Sequence, residues 1–407
     1  MREGKGMPAT SKLHAADLGT DVSRSNSPAR ILTLVHHHGS LSRAQLTRLT
    51  GLNRSTVSVL IAALTAQGLV YEAAPEGEAQ VGRPSPQVHP NPAIAALAVN
   101  PEIDAVTIGL VGLGGRVLTK VRYPTERIPT AAEAVNIAAA VIAGMRGELD
   151  AKYRVVGVGV AVPGLVTAVD GVVRHAPHLD WRNEPVAAML AAATGYRVRA
   201  ANDASLAAEA EMMFGAGAGI ANLVYLNGGA SGIGGGIIAD GRLLKGVSGY
   251  AGEIGHTLVR SDGTSCHCGA FGCLETEVRR APLLEALALD AGEPAELVRA
   301  LGGSADPAVT AEVHRQVAHL ATALRNAVNI FNPEAVVLDG FLAALYAAAP
   351  EQLLAAVTAQ SMREPGSEVT IHPAALGADL MMVGAAELAF AALLADPAGF
   401  PGEAGVS

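Results

Sequence analysis

Apolar residues recur at helical spacing three times between residues 27 and 68, and each recurrence starts and stops on a local signal. Ser27-Pro28 places an N-cap before a proline at the first helical position, and Ile31, Leu32, Leu34 and Val35 supply an apolar face. Ser42-Arg43-Ala44-Gln45 has the capping-box pattern and opens a second helix, with Leu46 and Leu49 turned inward. Gly51-Leu52-Asn53 makes a turn and Asn53 caps a third helix. Its Val57, Leu60, Ile61 and Leu64 sit at core spacing until Gly68 ends it. Two short helices joined by a glycine-containing turn predict a helix-turn-helix. The pattern then becomes strand-like: Leu69-Val70-Tyr71 starts a strand, residues 73–82 form a loop, and Gln87-Val88-His89 returns, which predicts a β-wing. Residues 1–24 lack a sustained apolar period and are expected to form a flexible tail ahead of a winged head at residues 25–90.

From about residue 93 strand and helix patterns alternate, which predicts an α/β fold. Ile103–Leu110 and Arg116–Val121 read as strands around Gly114-Gly115, and Ala131–Gly144 as a helix. Val155–Val162 is an apolar run of the buried-strand type, ending at Pro163-Gly164. Tyr196–Ala200 leads into Asn202-Asp203-Ala204, and Leu223–Leu226 leads into a glycine-rich turn.

Composition adds bounds. A chain of 407 residues is too long for one ordinary core and suggests two or three domains. No run approaches the roughly 20 apolar residues that span a bilayer, and Met1–Asp21 lacks the apolar centre of a signal peptide, so no membrane partner and a cytoplasmic location are expected. Charge is uneven. Residues 1–90 hold nine Lys/Arg against six Asp/Glu, leaving 20 against 32 for the remainder. A mildly basic head on an acidic body predicts that nucleic acid is met by the head alone.

The outward positions at the start of the third helix are Arg54, Ser55, Thr56 and Ser58, short polar groups and one guanidinium where a recognition helix faces base edges and phosphates. Arg43 opens the preceding helix and joins this set. Gly82-Arg83-Pro84 on the wing holds Arg83 between a flexible and a rigid residue, which suits a narrow minor groove. Helix-turn-helix geometry also serves protein contacts, but the capped helices, polar face and wing together favour operator DNA.

All three cysteines lie in one stretch, Cys266-His267-Cys268-Gly269-Ala270-Phe271-Gly272-Cys273, with His256 ten residues upstream. Scattered cysteines are packing residues; none is scattered here. Three thiolates and an imidazole complete a tetrahedral Zn2+ shell without an open position, so His256, Cys266, Cys268 and Cys273 are expected to hold a structural zinc. His267, between two ligands, is expected to point away.

Glu253-x-Gly255-His256 followed by Cys266-x-Cys268-Gly269-x-x-Gly272-Cys273-x-Glu275 resembles the signature of the ROK family, which contains sugar kinases and sugar-responsive repressors. The resemblance implies a two-lobed, actin-like (ribonuclease H-like) body over residues 93–395. One lobe takes residues 93–210 plus the C-terminal helix, the other residues 211–380, and residues 396–407 form a tail. It also implies a sugar pocket lined by Gly164, Asn202, Asp203, Glu253, His256 and Glu275, and a homodimer or homotetramer. Carboxylates and an amide suit a ring of hydroxyls that each donate and accept. A zinc-bound His256 keeps its second ring nitrogen protonated and free to donate to a sugar hydroxyl.

Asp203 matches the general base of the family's kinases. Those kinases cradle ATP phosphates with Asp-x-Gly-x-Thr, where this chain reads Val99-Asn100-Pro101-Glu102-Ile103-Asp104, with no glycine and with a proline that lacks an N–H. Gly228-Gly229-Ala230-Ser231-Gly232-Ile233-Gly234-Gly235-Gly236 keeps the second glycine-rich turn, and Leu338-Asp339-Gly340 departs from the usual Gly-Gly near the adenosine contact. A sugar pocket kept beside a broken nucleotide pocket predicts a sugar-responsive repressor, not an enzyme, with Asp203 a vestigial base. The alternatives are an ATP-dependent sugar kinase with an appended DNA-binding head, and a DNA-binding protein whose body docks a protein partner.

Overall fold

A computed structural model of the protein describes residues 27–74, 86–229, 232–290 and 294–400. The chain opens with α1 (Ser27–His38), β1 (Leu41–Ser42), α2 (Arg43–Thr50), α3 (Arg54–Ala66), β2 (Val70–Ala73) and β3 (Gln87–Pro90). Ser42 caps α2 in a complete capping box with Gln45, and Asn53 accepts the Thr56 N–H at the start of α3. Arg30 closes the far end of α2 by donating to the carbonyls of Leu49 and Thr50 at 2.9 Å each. The strands form a small sheet in the order β1-β3-β2. Strand β1 is an addition to the sequence reading; two residues carry too short a pattern to be seen.

The first lobe follows: β4 (Ile94–Pro101), β5 (Ala105–Gly112), β6 (Arg116–Pro124), α4 (Ala131–Lys152), β7 (Arg154–Val162), β8 (Leu165–Val166), β9 (Val173–Ala176), β10 (Trp181–Glu184), α5 (Val186–Thr194), β11 (Val198–Asn202) and α6 (Asp203–Phe214). The second holds β12 (Leu223–Gly229), β13 (Gly232–Ala239), β14 (Arg242–Leu243), α7 (Leu274–Glu277), α8 (Arg280–Ala286), α9 (Pro294–Gly303), α10 (Pro307–Phe331), β15 (Ala335–Gly340), α11 (Phe341–Ala348), α12 (Pro350–Gln360), α13 (Arg363–Glu368) and β16 (Thr370–Pro373). The last helix, α14 (Leu380–Ala395), returns to pack on β4, β7 and α6.

Two five-stranded sheets carry this body, ordered β11-β7-β4-β5-β6 and β14-β13-β12-β15-β16. Each is an antiparallel three-stranded meander extended by two parallel strands on the side of its first strand. The same plan twice is the actin-like duplication. Strand β4 is buried along its whole length, as a strand covered on both faces must be.

Four sequence expectations change. The strand placed at Ile103–Leu110 begins at Ala105, because Glu102–Asp104 forms the hairpin turn, with the Glu102 N–H donating to the Ala105 carbonyl. The helix placed at Ala131–Gly144 runs to Lys152; Gly144 and Gly147 face open space, where a missing side chain forfeits no packing. Most of the glycine-rich turn is strand, the facing ends of β12 and β13. A Cβ on Gly236 would stand 2.5 Å from the Ala208 Cβ, and one on Gly234 2.8 Å from the Ala204 Cβ, so these glycines let α6 lie against the second sheet. Finally, Gly377–Ala395 is long and apolar enough by composition to cross a membrane. In the fold it is a core helix, packed on β4, β7 and α6 with Glu387 buried inside.

Head and body share one interior. Ile31, Val35, Leu46, Ile61 and Val88 of the head fall in the same buried cluster as Ala98, Val111, Leu206, Met382 and Phe390 of the body.

Candidate functional site

The chain runs from β11 into α6 at Asn202-Asp203, and this junction is the floor of a cavity of about 220 Å³ between the two sheets. Asn202 is spent on local structure. Its Oδ1 accepts the Ser205 N–H at 2.9 Å, capping α6, and its Nδ2 donates to the Gly164 carbonyl at 3.0 Å. Gly164 has φ +145°, and a Cβ there would fall 2.4 Å from the His175 carbonyl oxygen, so only glycine fits. Asp203 is the first residue of α6, and its Oδ1 accepts the Ala204 N–H at 2.8 Å. Burial pushes its carboxyl up to about 6, and the charge of Glu102 adds to the rise against those backbone bonds. Burial likewise raises Glu253, helped by the neighbouring Asp203 and Glu275 charges. All six residues expected to line a sugar pocket, Gly164, Asn202, Asp203, Glu253, His256 and Glu275, lie on this cavity.

His256, Cys266, Cys268 and Cys273 bring four donor atoms within 4.8 Å of one another. Cys268 Sγ and Cys273 Sγ are 3.7 Å apart, and Cys266 Sγ lies 3.5 Å from His256 Nδ1. Tetrahedral zinc with bonds of about 2.3 Å to sulfur and about 2.05 Å to nitrogen needs edges of roughly 3.75 and 3.6 Å. The donor set therefore fits the ion. Burial raises the Cys266 and Cys273 thiols while the Ala270 N–H lowers Cys268, so all three would ionise together only with a cation beside them. Gly272 has φ +65°, and its missing Cβ would overlap the Arg260 carbonyl, which is how the loop closes on itself.

The ring of His256 links cluster and cavity. Nδ1 faces Cys266, and Nε2 faces Glu253 Oε2 at 4.0 Å, beyond hydrogen-bond reach. Glu275 sits between the two sites, its Oε1 at 3.1 Å from Cys266 Sγ and 3.0 Å from His267 Nδ1. His267, expected to point away from the metal, faces the cavity. Its Nδ1 stands outside the four-donor group, 4.0 Å from Cys266 Sγ, and its ring lines the cavity, edge-on to His256 at 5.0 Å. The loop folds back at Gly269, whose φ is +94°, and this carries His267 toward Glu275. His175 and His178 also line the cavity and were missed, since two histidines near a strand end form no pattern.

On the head, Arg54 and Ser55 are exposed at the start of α3, while Thr56 and Ser58 are half-buried. Ser55 donates to Asn53 Oδ1 at 2.7 Å and Ser58 to the Arg54 carbonyl at 2.9 Å. Arg43 makes two bonds of 2.7 Å to Glu72 on β2 and one of 3.2 Å to Ser58. Arg83, together with the wing loop expected at residues 73–82 beyond Ala74, lies outside the described residues.

Comparison with known proteins covers both parts. The ROK family profile matches residues 98–392, and the MarR family profile matches residues 20–79. The chain is 26% identical over 361 residues to the xylose repressor of Bacillus spizizenii, covering 87% of this chain and 92% of that one. It is 32% identical over 262 residues to a glucokinase of Halalkalibacterium halodurans, covering 60% and 79%. A crystal structure of a ROK family transcriptional regulator, homolog of the E. coli MLC protein, superposes with TM-score 0.74 at 24% identity over 92% of this chain and 98% of that chain. A ROK family glucokinase from Streptomyces griseus, in complex with glucose and AMPPNP, superposes at 0.60 and 28% identity over 72% and 98%. With its profile match running through nearly the whole body and a MarR-type winged helix ahead of it, the chain belongs to the ROK family.

Proposed function

We propose that this protein is a sugar-responsive transcriptional repressor that holds operator DNA with its winged head and a sugar in the cavity at Asp203. The observation that carries the reading is the union, in one chain, of a winged helix and a carboxylate-lined cavity with a shared interior. The xylose repressor of Bacillus spizizenii is matched across both parts, which supports the same combination here. Arg43, Arg54, Ser55, Thr56, Ser58 and Arg83 are the proposed DNA contacts. Gly164, Asn202, Asp203, Glu253, His256 and Glu275 are the proposed sugar site. His256, Cys266, Cys268 and Cys273 would hold zinc, which supplies structural cross-linking and fixes the His256 ring toward the sugar. The protein acts in the cytoplasm as a homodimer or homotetramer, since paired heads read two half-sites. The boundaries proposed for the parts are 1–24, 25–90, 93–395 and 396–407.

A kinase is the second reading, favoured by the glucokinase relatives and by the raised Asp203 carboxyl, which suits a general base. Against it stands the turn after β4, which carries Glu102 where a phosphate cradle needs backbone N–H groups and no negative charge. Asp339 adds a second carboxylate on β15, bonded to Tyr225 at 2.9 Å. The test is a DNA-mobility assay against D-glucose, D-xylose, D-mannose and N-acetylglucosamine, with a coupled ATP assay on the same sugars. A sugar that changes mobility without ATP turnover supports the repressor; turnover with no mobility change overturns it.

A further inference from the structure

The helix that starts in the cavity ends against the head. Asp203 opens α6 at the cavity floor, and Phe214 closes it with its ring edge-on to His36 and His37 of α1, centroids 5.3 and 5.9 Å apart. Twelve residues at 1.5 Å each make a strut of roughly 18 Å. On two flanks its neighbours approach through glycines, at van der Waals distance. Gly234 and Gly236 bring β13 against Ala204 and Ala208, and a Cβ on Gly384 of α14 would stand 2.6 Å from the Leu206 carbonyl oxygen. Glu211, fully buried, locks the far end by accepting the N–H groups of Ala216, Ala375 and Leu376. Close-packed interiors of this kind pass displacement on instead of damping it.

The head receives that end at His36 and His37, and His36 is the one fixed in place. His36 is fully buried; its Nδ1 accepts the Gly114 N–H at 2.8 Å, and its Nε2 faces both oxygens of Glu387 at 2.9 and 3.0 Å. The network assigns the neutral ring with its proton on Nε2, donating to Glu387. That leaves no lone pair on Nε2 for a cation, so the grouping of His36, His37 and Glu387 is a latch and not a second metal centre. A ring held from three sides by Gly114, Glu387 and Phe214 has one position relative to α6.

Resting on the repressor reading, we propose that α6 carries the coupling between sugar and DNA: ligand at Asp203 moves the helix as a unit, and Phe214 transmits the movement to α1 through His36. Sugar and DNA then couple reciprocally, each changing the affinity of the other by one factor. The probes are D-glucose, D-xylose and N-acetylglucosamine, and a duplex selected by the wild-type protein from a random-sequence pool. Sugar affinity is measured with and without the duplex in wild type, Phe214→Ala and the gentler Phe214→Leu. Leu190→Ala, in the separate core beside α4, serves as a destabilised control. The expected result is a ratio that falls toward one in both Phe214 variants, with each separate affinity within about threefold of wild type, while Leu190→Ala keeps the ratio. A ratio retained in both Phe214 variants, or lost equally in Leu190→Ala, overturns the route alone. A wild-type ratio of one overturns the repressor reading, and the route with it.

Discussion

Arg43 and Glu72 hold each other across the head, the guanidinium on α2 making two 2.7 Å bonds to the carboxylate on β2. The pair is partly exposed, so its stability value is small, about 0–1 kcal/mol. With Arg43 as a proposed DNA contact, the carboxylate would compete with phosphate for the same fork of donors. Glu72→Gln is expected to tighten DNA binding severalfold and to steepen the dependence of log affinity on log salt by up to about one unit. Binding titrations at several salt concentrations check this; unchanged affinity and slope would remove Arg43 from the contact set.

Asp203 gives a pH signature. Its carboxyl is raised from 3.8 to about 6 by burial. A raised acid favours the protonated folded state, so stability is unaffected below about pH 4, declines as pH rises through 6, and stays lower above it. The shift corresponds to a penalty on the order of 2–3 kcal/mol at neutral pH. Asp203→Asn keeps the acceptor for the Ala204 N–H and is expected to raise the midpoint of thermal unfolding at pH 7.5, with no gain at pH 4, while abolishing the sugar response. A gain that is the same at both pH values would contradict the buried charge.

Cys266→Ser should reduce bound zinc from about one per chain, lower thermal stability and weaken sugar binding, because the same loop fixes His256 and Glu275. Elemental analysis and thermal shift measure both. Fully metal-free protein that still responds to sugar would separate the cluster from the cavity.

The latch at His36 is testable by a double-mutant cycle. His36→Leu leaves Glu387 buried without its partner and is expected to cost about 3–5 kcal/mol, whereas the double change His36→Leu with Glu387→Leu restores much of the loss. Denaturant unfolding gives the coupling. Additive losses would mean that the two side chains act independently.

How far the sequence reveals this molecule depends on how local each cause is. Ser42, Asn53 and Thr130 cap their helices through bonds to residues three positions away, and the cysteine–histidine cluster needs only the reach of one loop plus His256. Thr130 closes its capping box with Glu133, a signal as local as the other two. The latch is different in kind: His36 sits in a run of three histidines that reads as a polar helix end, and its partner lies 351 residues away. Glycines 234 and 236 likewise look like a ligand loop, since their reason is a helix that only the fold brings near. Glu102 was legible as charge, but its influence on Asp203 was not.

The common interior of head and body bears on how such regulators diversify. Cutting the chain at residue 90 would pass through a single buried cluster, which joins Ile31 and Val35 of α1 to Met382 and Phe390 of α14. With Arg54 and Ser55 of α3 as the proposed DNA contacts, both exposed, changing them would disturb this interior less than exchanging heads between relatives. A transplanted head would have to arrive with its matching α14 face, so the two segments nearest the ends of the described chain are bound to evolve together.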